Sequence, residues 1–109
     1  MMIDHPDQVE RLMDRLGATL PILARVTPEL QATLRKQRGV VLPASCSVTW
    51  VSYAGDEGGI ICQLDTGAET AEVVLASITH LHFDSRLPLA REIAAYQRHR
   101  VKRLRRQTR

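Results

Sequence analysis

The chain has 109 residues, of which 44% are hydrophobic and 25% charged, and its formal net charge is +3. This length predicts one domain with a modest core that needs no disulfide or metal to hold it. The first twenty residues contain no long apolar run, which excludes a secretory signal, and no other stretch approaches a membrane span. We therefore expect a cytoplasmic protein with no membrane partner.

The chain contains two cysteines and four aromatic residues. In a reducing compartment, Cys46 and Cys62 are expected to be small buried hydrophobic residues rather than a disulfide. Their spacing does not match a metal-binding CxxC pattern. With so few aromatic side chains, the core must be built from Leu, Val, Ile and Ala.

Two helices are predicted near the N-terminus. Residues 4–16 carry apolar side chains at helical spacing, and Gly17 is expected to stop the helix. The apolar segment 19–26 is predicted to form a brief helical turn packed on the core. A second helix is predicted over residues 28–38, where Thr27 caps the start and Gly39 ends it.

The middle of the chain changes to the alternating pattern of β-strands. Strands are predicted over 45–54, 59–65 and 71–83, separated by glycine-containing turns. Folding the first hairpin about residue 56 places Cys62 opposite Trp50. The fold class expected is thus α+β, with N-terminal helices, a three-stranded antiparallel meander and a long basic C-terminal helix. Alternation predicts Cys46, Val48 and Trp50 on one face of the sheet, and Thr49, Val51 and Tyr53 on the other.

The second face of this predicted sheet has no obvious cover. The helices can cover one face, but the face of Val51 and Tyr53 is left open. Pairing with a second copy of the chain would cover it, because oligomers usually have two-fold symmetry and a short sheet leaves its edges open. The sequence therefore predicts a homodimer.

The last predicted helix covers residues 88–107. Pro88 suits a first-turn position, and Asp84 or Ser85 could cap the free N–H groups. An apolar stripe recurs at three- and four-residue steps, but it weakens toward the end, so the last two turns are expected to project or fray. The stripe comprises Ala90, Ile93, Ala94, Gln97, Val101, Leu104 and Thr108.

This helix concentrates the positive charge of the chain. From Arg91 to Arg109 there are eight Lys/Arg and one acidic residue, whereas residues 1–90 hold the other seven Lys/Arg and eleven acidic residues. At about 100° per residue, five cations fall within a narrow arc beside the apolar stripe. These candidate contact residues are Arg91, Arg98, Lys102, Arg105 and Arg109, while Arg100, Arg103 and Arg106 are predicted to scatter over the remaining surface.

Three explanations of the cationic arc remain open. Phosphate oxygens accept forked guanidinium hydrogen bonds, and their binding releases counterions, so an RNA or DNA backbone is the first candidate. An acidic protein, including this chain's own acidic body or that of a second copy, is another. A solvated, half-disordered tail would also carry such charge. Any nucleic-acid binding should depend on the backbone and be weakly sequence-specific, because no RNA-recognition, zinc-finger or helix-turn-helix signature is present.

The segment Thr79-His80-Leu81-His82-Phe83-Asp84 resembles the TH-x-H-x-D segment of the metallo-β-lactamase superfamily. That resemblance implies a zinc-dependent hydrolase in which His80, His82 and Asp84 hold metal. The family's next ligand is a histidine, and here Ser85 stands in its place, which leaves the set one ligand short. A pair of partly exposed strand histidines explains the same residues, and we prefer that interpretation.

No other stretch predicts catalysis or a cofactor. The chain lacks a P-loop, the Rossmann glycines and a nucleophile elbow. Three hypotheses therefore stand: a nucleic-acid-binding or nucleic-acid-associated accessory domain, a homo-oligomeric protein-interaction module, and a small metal-dependent hydrolase. No catalytic residue is predicted under the first two.

Overall fold

A computed structural model describes residues 3–39, 41–65 and 73–107. Within these ranges the chain forms three α-helices and five β-strands, which confirms the α+β class but not the predicted three strands. The helices are α1 (Pro6–Thr19), α2 (Pro28–Arg38) and α3 (Ala90–Gln107). The strands are β1 (Ile22–Val26), β2 (Ser45–Tyr53), β3 (Ile60–Asp65), β4 (Val74–Ser77) and β5 (Leu81–His82). No helix in the described ranges has both the length and the apolar character needed to cross a bilayer.

The five strands form one antiparallel sheet in the order β4-β3-β2-β1-β5, so β4 and β5 are its two edges. In a flat sheet, four strand spacings of about 4.8 Å would separate these edges by about 19 Å. The four residue steps from Ser77 to Leu81 can span at most about 14 Å. The sheet must therefore curl, and the 3-10 turn Ile78–His80 links its edges.

One face of the curled sheet, here called the inner face, carries the hydrophobic core. Side chains alternate along the strands, so every second residue of the sheet is buried there, and the helices pack their apolar residues against it. The buried sheet residues are Ile22, Ala24, Cys46, Val48, Ile60, Cys62, Leu64, Val74, Ala76 and Leu81, and the helices add Val9, Leu12, Leu16, Leu30, Leu34, Ile93 and Tyr96.

The first helix ends later than the sequence predicts. Gly17 does not stop α1, which continues to Thr19, and the Leu20 amide donates to the Leu16 carbonyl at 3.1 Å. A glycine inside a helix costs only about 1 kcal/mol relative to alanine, so continued packing of the helix on the sheet outweighs it.

Segment 19–26 contains a strand rather than the predicted helical turn. Ile22 and Ala24 are buried, whereas Leu23 and Arg25 are exposed, which is the two-residue period of a strand. β1 pairs with β2 on one side and with β5 on the other. A short apolar run fits a helix and a strand equally well, and pairing with strands distant in sequence decides between them.

A β-bulge in β2 changes which side chains face the core. Strict alternation places Trp50 opposite Cys62 on the core side and Val51 on the open side. The register instead shifts between Val48 and Trp50, so that Trp50 pairs with Gln63 and Val51 pairs with Cys62. One extra residue inverts the alternation beyond it. Trp50 consequently lies on the outer face of the sheet, opposite the core, where it is 48% exposed.

The predicted strand over residues 71–83 is also divided. Residues 71 and 72 lie outside the described ranges, and the remainder forms β4, the 3-10 turn and β5. The Ser77 hydroxyl accepts a hydrogen bond from the Thr79 amide and thereby caps the turn. Gln97 of α3 donates from Nε2 to the carbonyls of Ile78 (2.7 Å) and Leu81 (2.8 Å). These contacts satisfy backbone groups that a continuous strand would have paired with a neighbour.

Candidate nucleic-acid interface

The third helix packs on the core through Ile93, Tyr96 and Arg100, each at most 3% exposed. We call this side of α3 the docking edge. At about 100° per residue, the docking edge points about 75° around the helix axis from the centre of the predicted apolar stripe. Val101, which belongs to that stripe, is 37% exposed. The stripe was misplaced because Tyr96 and the aliphatic part of Arg100 supply buried area that a count of simple aliphatic residues omits.

Arg100 is the main correction to the predicted distribution of charge. It was expected on the surface, but its guanidinium is buried and lies 3.0 Å from Oδ2 of the buried Asp4. Its second terminal nitrogen donates to the Asp56 carbonyl at 2.8 Å. Helical spacing alone could have indicated this burial, because Arg100 follows Tyr96 by four residues and Ile93 by seven. Helical spacing could not have identified Asp4 as the partner of Arg100, because the two residues are far apart in the sequence.

Two tyrosines complete the environment of Asp4. Both Tyr53 and Tyr96 donate their hydroxyls to Asp4 Oδ2 at 2.9 Å, and the Tyr96 hydroxyl accepts from the Ile60 amide at 3.1 Å. Burial, followed by the hydrogen bond to Asp4, raises the pKa of Tyr53 to about 12. Burial likewise raises the pKa of Tyr96. Both phenols therefore remain neutral donors over the whole physiological range.

The N-terminal segment is also held through its backbone. The Ile3 amide donates to Asp56 Oδ1 at 2.9 Å, and Nε2 of His99 lies 3.1 Å from the Ile3 carbonyl oxygen. Gly59 completes the packing: its φ is +66°, and a Cβ atom there would lie 2.3 Å from the Tyr96 hydroxyl. The docking edge of α3 thus contacts both the N-terminal segment and the β2–β3 connection.

The opposite side of α3 carries the predicted cationic arc. Arg91, Arg98, Lys102 and Arg105 are all exposed, whereas Arg109 lies outside the described residues. Their mean direction is about 180° from the docking edge at about 100° per residue. With about 1.5 Å rise per residue, the four side chains extend over about 21 Å of helix. We call them the cationic edge.

The single acidic residue of the helix does not oppose this edge directly. Glu92 forms an ion pair with Arg15 of α1, and both side chains are partly exposed. The pair links α1 to the first turn of α3. An exposed pair of this kind contributes at most about 1 kcal/mol to stability. The pair also balances the negative charge of Glu92 with a cation outside α3, so Glu92 offsets little of the positive charge of the cationic edge.

Two shallow grooves border the second half of α3. One, of about 560 Å³, is lined by Thr79, Gln97 and three cationic-edge residues, Arg98, Lys102 and Arg105. The other, of about 480 Å³, is lined by Ser77, Thr79 and Arg105 and also by Asp56 and Glu57. The grooves share Thr79 and Arg105, so they connect the cationic edge to the β4 side of the sheet.

The structure separates the three residues of the metallo-β-lactamase-like segment. His80 ends the 3-10 turn, whereas His82 lies in β5 opposite Arg25. Asp84 accepts hydrogen bonds from the Arg86 side chain and amide, and these bonds lower the Asp84 pKa to about 2. Within the described ranges, no three His, Cys, Asp or Glu side chains converge as a metal site. The segment is therefore a turn and an edge strand here.

The cysteines lie in the core as unpaired thiols. Burial raises the pKa of Cys62 to about 12, and burial followed by the charge of Asp65 raises that of Cys46. A thiol with a raised pKa is a poor nucleophile at neutral pH, because the thiolate is the reactive form. Both residues act as small core side chains.

Comparison of the chain with protein-family models, curated proteins and solved structures found no match.

Proposed function

We propose that this protein binds the phosphate backbone of RNA or DNA through the cationic edge of α3, with little dependence on base sequence. Arg91, Arg98, Lys102 and Arg105 contact phosphates in this proposal, and Arg109 extends the same arc by its position in the sequence. Binding is driven by charge-assisted hydrogen bonds and by counterion release. The protein acts as a binding domain and performs no chemistry on the nucleic acid.

The observation that carries the proposal is the unequal use of arginine on one helix. Arg100 is buried against Asp4, a carboxylate of the same chain. Arg91 and Arg98 are exposed on the opposite side. If α3 served only to neutralise the acidic body, its guanidinium groups would be directed toward that body. Arg100 performs this role on the docking edge, whereas Arg91 and Arg98 lie on the other side of the helix.

Helix stability gives no alternative reason for the cationic edge. Arg98 and Lys102 are four residues apart, as are Lys102 and Arg106, and each such like-charge pair costs about 0.2–0.5 kcal/mol. Cations in the last turn recover a similar amount from the helix dipole. The net contribution to folding is thus near zero, which favours a role in binding.

Fluorescence anisotropy with a labelled RNA or DNA oligonucleotide tests the proposal. With about four phosphate contacts, the affinity should fall roughly a hundredfold between 50 and 200 mM salt. The variant Arg98→Gln/Lys102→Gln removes two contacts, so the same change in salt should weaken its binding only about tenfold. At low salt its affinity should already be lower than that of the unmodified chain.

The matched control is Arg35→Gln/Lys36→Gln, which removes two exposed charges from the last turn of α2. If net charge alone controls binding, both double variants weaken it equally, and a specific role for α3 is rejected. Binding that does not respond to salt would also reject the proposal. Loss of affinity confined to the α3 variant supports it.

A second candidate function, a homodimeric protein-interaction module, is favoured by the exposed apolar residues of the sheet. Leu23, Trp50 and Leu75 are between 48% and 63% exposed. Analytical ultracentrifugation of the full chain tests this candidate. A concentration-dependent dimer that Leu23→Ser and Leu75→Ser convert to a monomer would support it, whereas a monomer at all concentrations would reject it.

A further inference from the structure

The outer face of the sheet, opposite the core, presents the only tryptophan of the chain. Because of the β-bulge, Trp50 lies on this face in a cross-strand row with Gln63 of β3 and Leu75 of β4. The next row along the strands consists of Ser52 of β2, Ile61 of β3 and Ser77 of β4. An indole so exposed places a large flat aromatic surface in contact with solvent.

The neighbours of Trp50 combine apolar and hydrogen-bonding groups. Gln63 separates the indole from Leu75 within one row, and hydroxyls of Ser52 and Ser77 border the other. The core of a homodimer interface is more continuously apolar and resembles a divided hydrophobic core. A face on which a ring, an amide and hydroxyls lie among the single apolar side chains Leu75 and Ile61 is better suited to an unpaired nucleobase, which stacks on an aromatic ring and offers polar edges.

The outer face is connected to the cationic edge. Ser77, at one end of its row, lines the groove that also contains Thr79 and Arg105. From Ser77 to Trp50 the path crosses two strand spacings and moves two residues along the strands, about 12 Å in total. Stacked nucleotides advance by about 3.4 Å each, so about four nucleotides cover this path.

The charged residues around the groove favour the same path for a nucleic acid, from the cationic edge toward the outer face. Asp56 and Glu57 line this groove together with Thr79 and Arg105, and their carboxylates would repel phosphate. Asp56 Oδ1 already accepts a hydrogen bond from the Ile3 amide. A phosphate backbone would therefore follow the side of Thr79 and Ser77. At the far end of the face, Arg25 pairs with His82 and supplies a further cation.

We infer that the nucleic acid bound by this protein is single-stranded, and that it runs from the cationic edge across the Ser77–Thr79 groove to stack a base on Trp50. This inference rests on the proposed function and specifies its substrate class. A duplex keeps its bases paired and stacked within the helix, so it can contact the cationic edge but offers no base to Trp50.

The intrinsic fluorescence of Trp50 tests the inference directly, because the chain has no other tryptophan. The unmodified full-length protein is titrated with an oligothymidylate of twelve nucleotides and with a hairpin duplex containing the same number of phosphates. We expect saturable quenching of the indole by the single strand and no comparable quenching by the duplex. Equal quenching by both, or none by either, overturns the inference.

Variants at the ring supply the matched comparison, with affinity measured by anisotropy of the labelled oligothymidylate. Trp50→Ala should weaken binding about ten- to a hundredfold, because a base–aromatic stack contributes that much, whereas Trp50→Phe should retain most of it. Leu23→Ala, which removes another exposed apolar side chain of the sheet, should leave the affinity unchanged. Unchanged urea midpoints show that Trp50→Ala is folded.

The outcomes separate this inference from the proposed function. If Arg98→Gln/Lys102→Gln weakens binding but Trp50→Ala does not, the cationic edge binds nucleic acid and the stacking platform is rejected. If no nucleic acid binds at low salt, both proposals fail. If the protein is a dimer that Trp50→Ala dissociates, the outer face is covered by a second copy and the single-strand inference is rejected.

Discussion

Arginine is exposed on one side of α3 and buried on the other. Arg98 and Arg100 are two positions apart, yet one is exposed and the other is 3% exposed against Asp4. A two-residue step rotates the side chain by about 200°, which moves it from one side of a helix to the other. A basic helix is therefore not one uniform charged surface, because some of its cations are used within the fold.

The largest effect is expected on the docking edge. Arg100→Ala leaves Asp4 as a buried charge without its counterion, and we expect the free energy of unfolding to fall by about 3–5 kcal/mol. Urea unfolding followed by circular dichroism measures this change. Adding Asp4→Asn should recover part of the loss, since it removes the unpaired charge. A loss below about 1 kcal/mol would contradict the comparison between the two edges.

Removing the amide of Gln97 should have an intermediate effect. Gln97→Leu keeps the side-chain volume but leaves the Ile78 and Leu81 carbonyls without their donor. The expected loss is about 1–3 kcal/mol in the same unfolding experiment. Because these carbonyls lie where the sheet edges are joined, hydrogen exchange should accelerate first in β4 and β5. Uniform acceleration over the whole sheet would show that the turn is not a separate weak point.

Alkaline pH should weaken the hydrogen bonds around Asp4 at the docking edge. The pKa of Tyr53 is raised to about 12 in the folded protein, from about 10 when unfolded. Its contribution is therefore complete below pH 10 and is lost as the pH rises from 10 through about 12. Ultraviolet titration of phenolate absorbance measures the shift. Asp4→Asn should lower this pKa only in part, because burial is the larger cause.

The smallest effect on stability is expected on the cationic edge. Arg98→Ala removes an exposed side chain with a like-charged neighbour at Lys102, so the free energy of unfolding should change by no more than about 0.5 kcal/mol. The same variant should still weaken nucleic-acid binding. A large loss of stability would mean that Arg98 belongs to the fold in the same way as Arg100.

Local signals accounted for the elements that the sequence located well. The bounds of α2 coincide with the predicted 28–38, because Thr27 accepts a hydrogen bond from the Leu30 amide and Gly39 adopts φ +65°. Both signals operate within a few residues of the helix ends. Helical periodicity alone also predicted that Arg91, Arg98, Lys102 and Arg105 share one exposed side of α3, whereas Arg109 lies outside the described residues and a binding role for the set stays a prediction.

The features that were missed depend on contacts distant in sequence. β1 became a strand because β2 and β5 pair with it, and Arg100 became buried because Asp4, 96 positions earlier, lies beside it. The bulge in β2 moved Trp50 to the outer face by a one-residue shift that a strict alternation does not include. The exposure of Trp50 therefore follows from the fold and not from a sequence motif.

The joined edges of the sheet bear on how this chain avoids aggregation. Long, flat edge strands are templates on which other chains add, and this is a common route to amyloid fibrils. Within the described residues β5 has two residues and β4 has four, and the 3-10 turn links these two strands. The curl thus leaves little backbone on which another chain could extend the sheet, even though an exposed tryptophan stands on its surface.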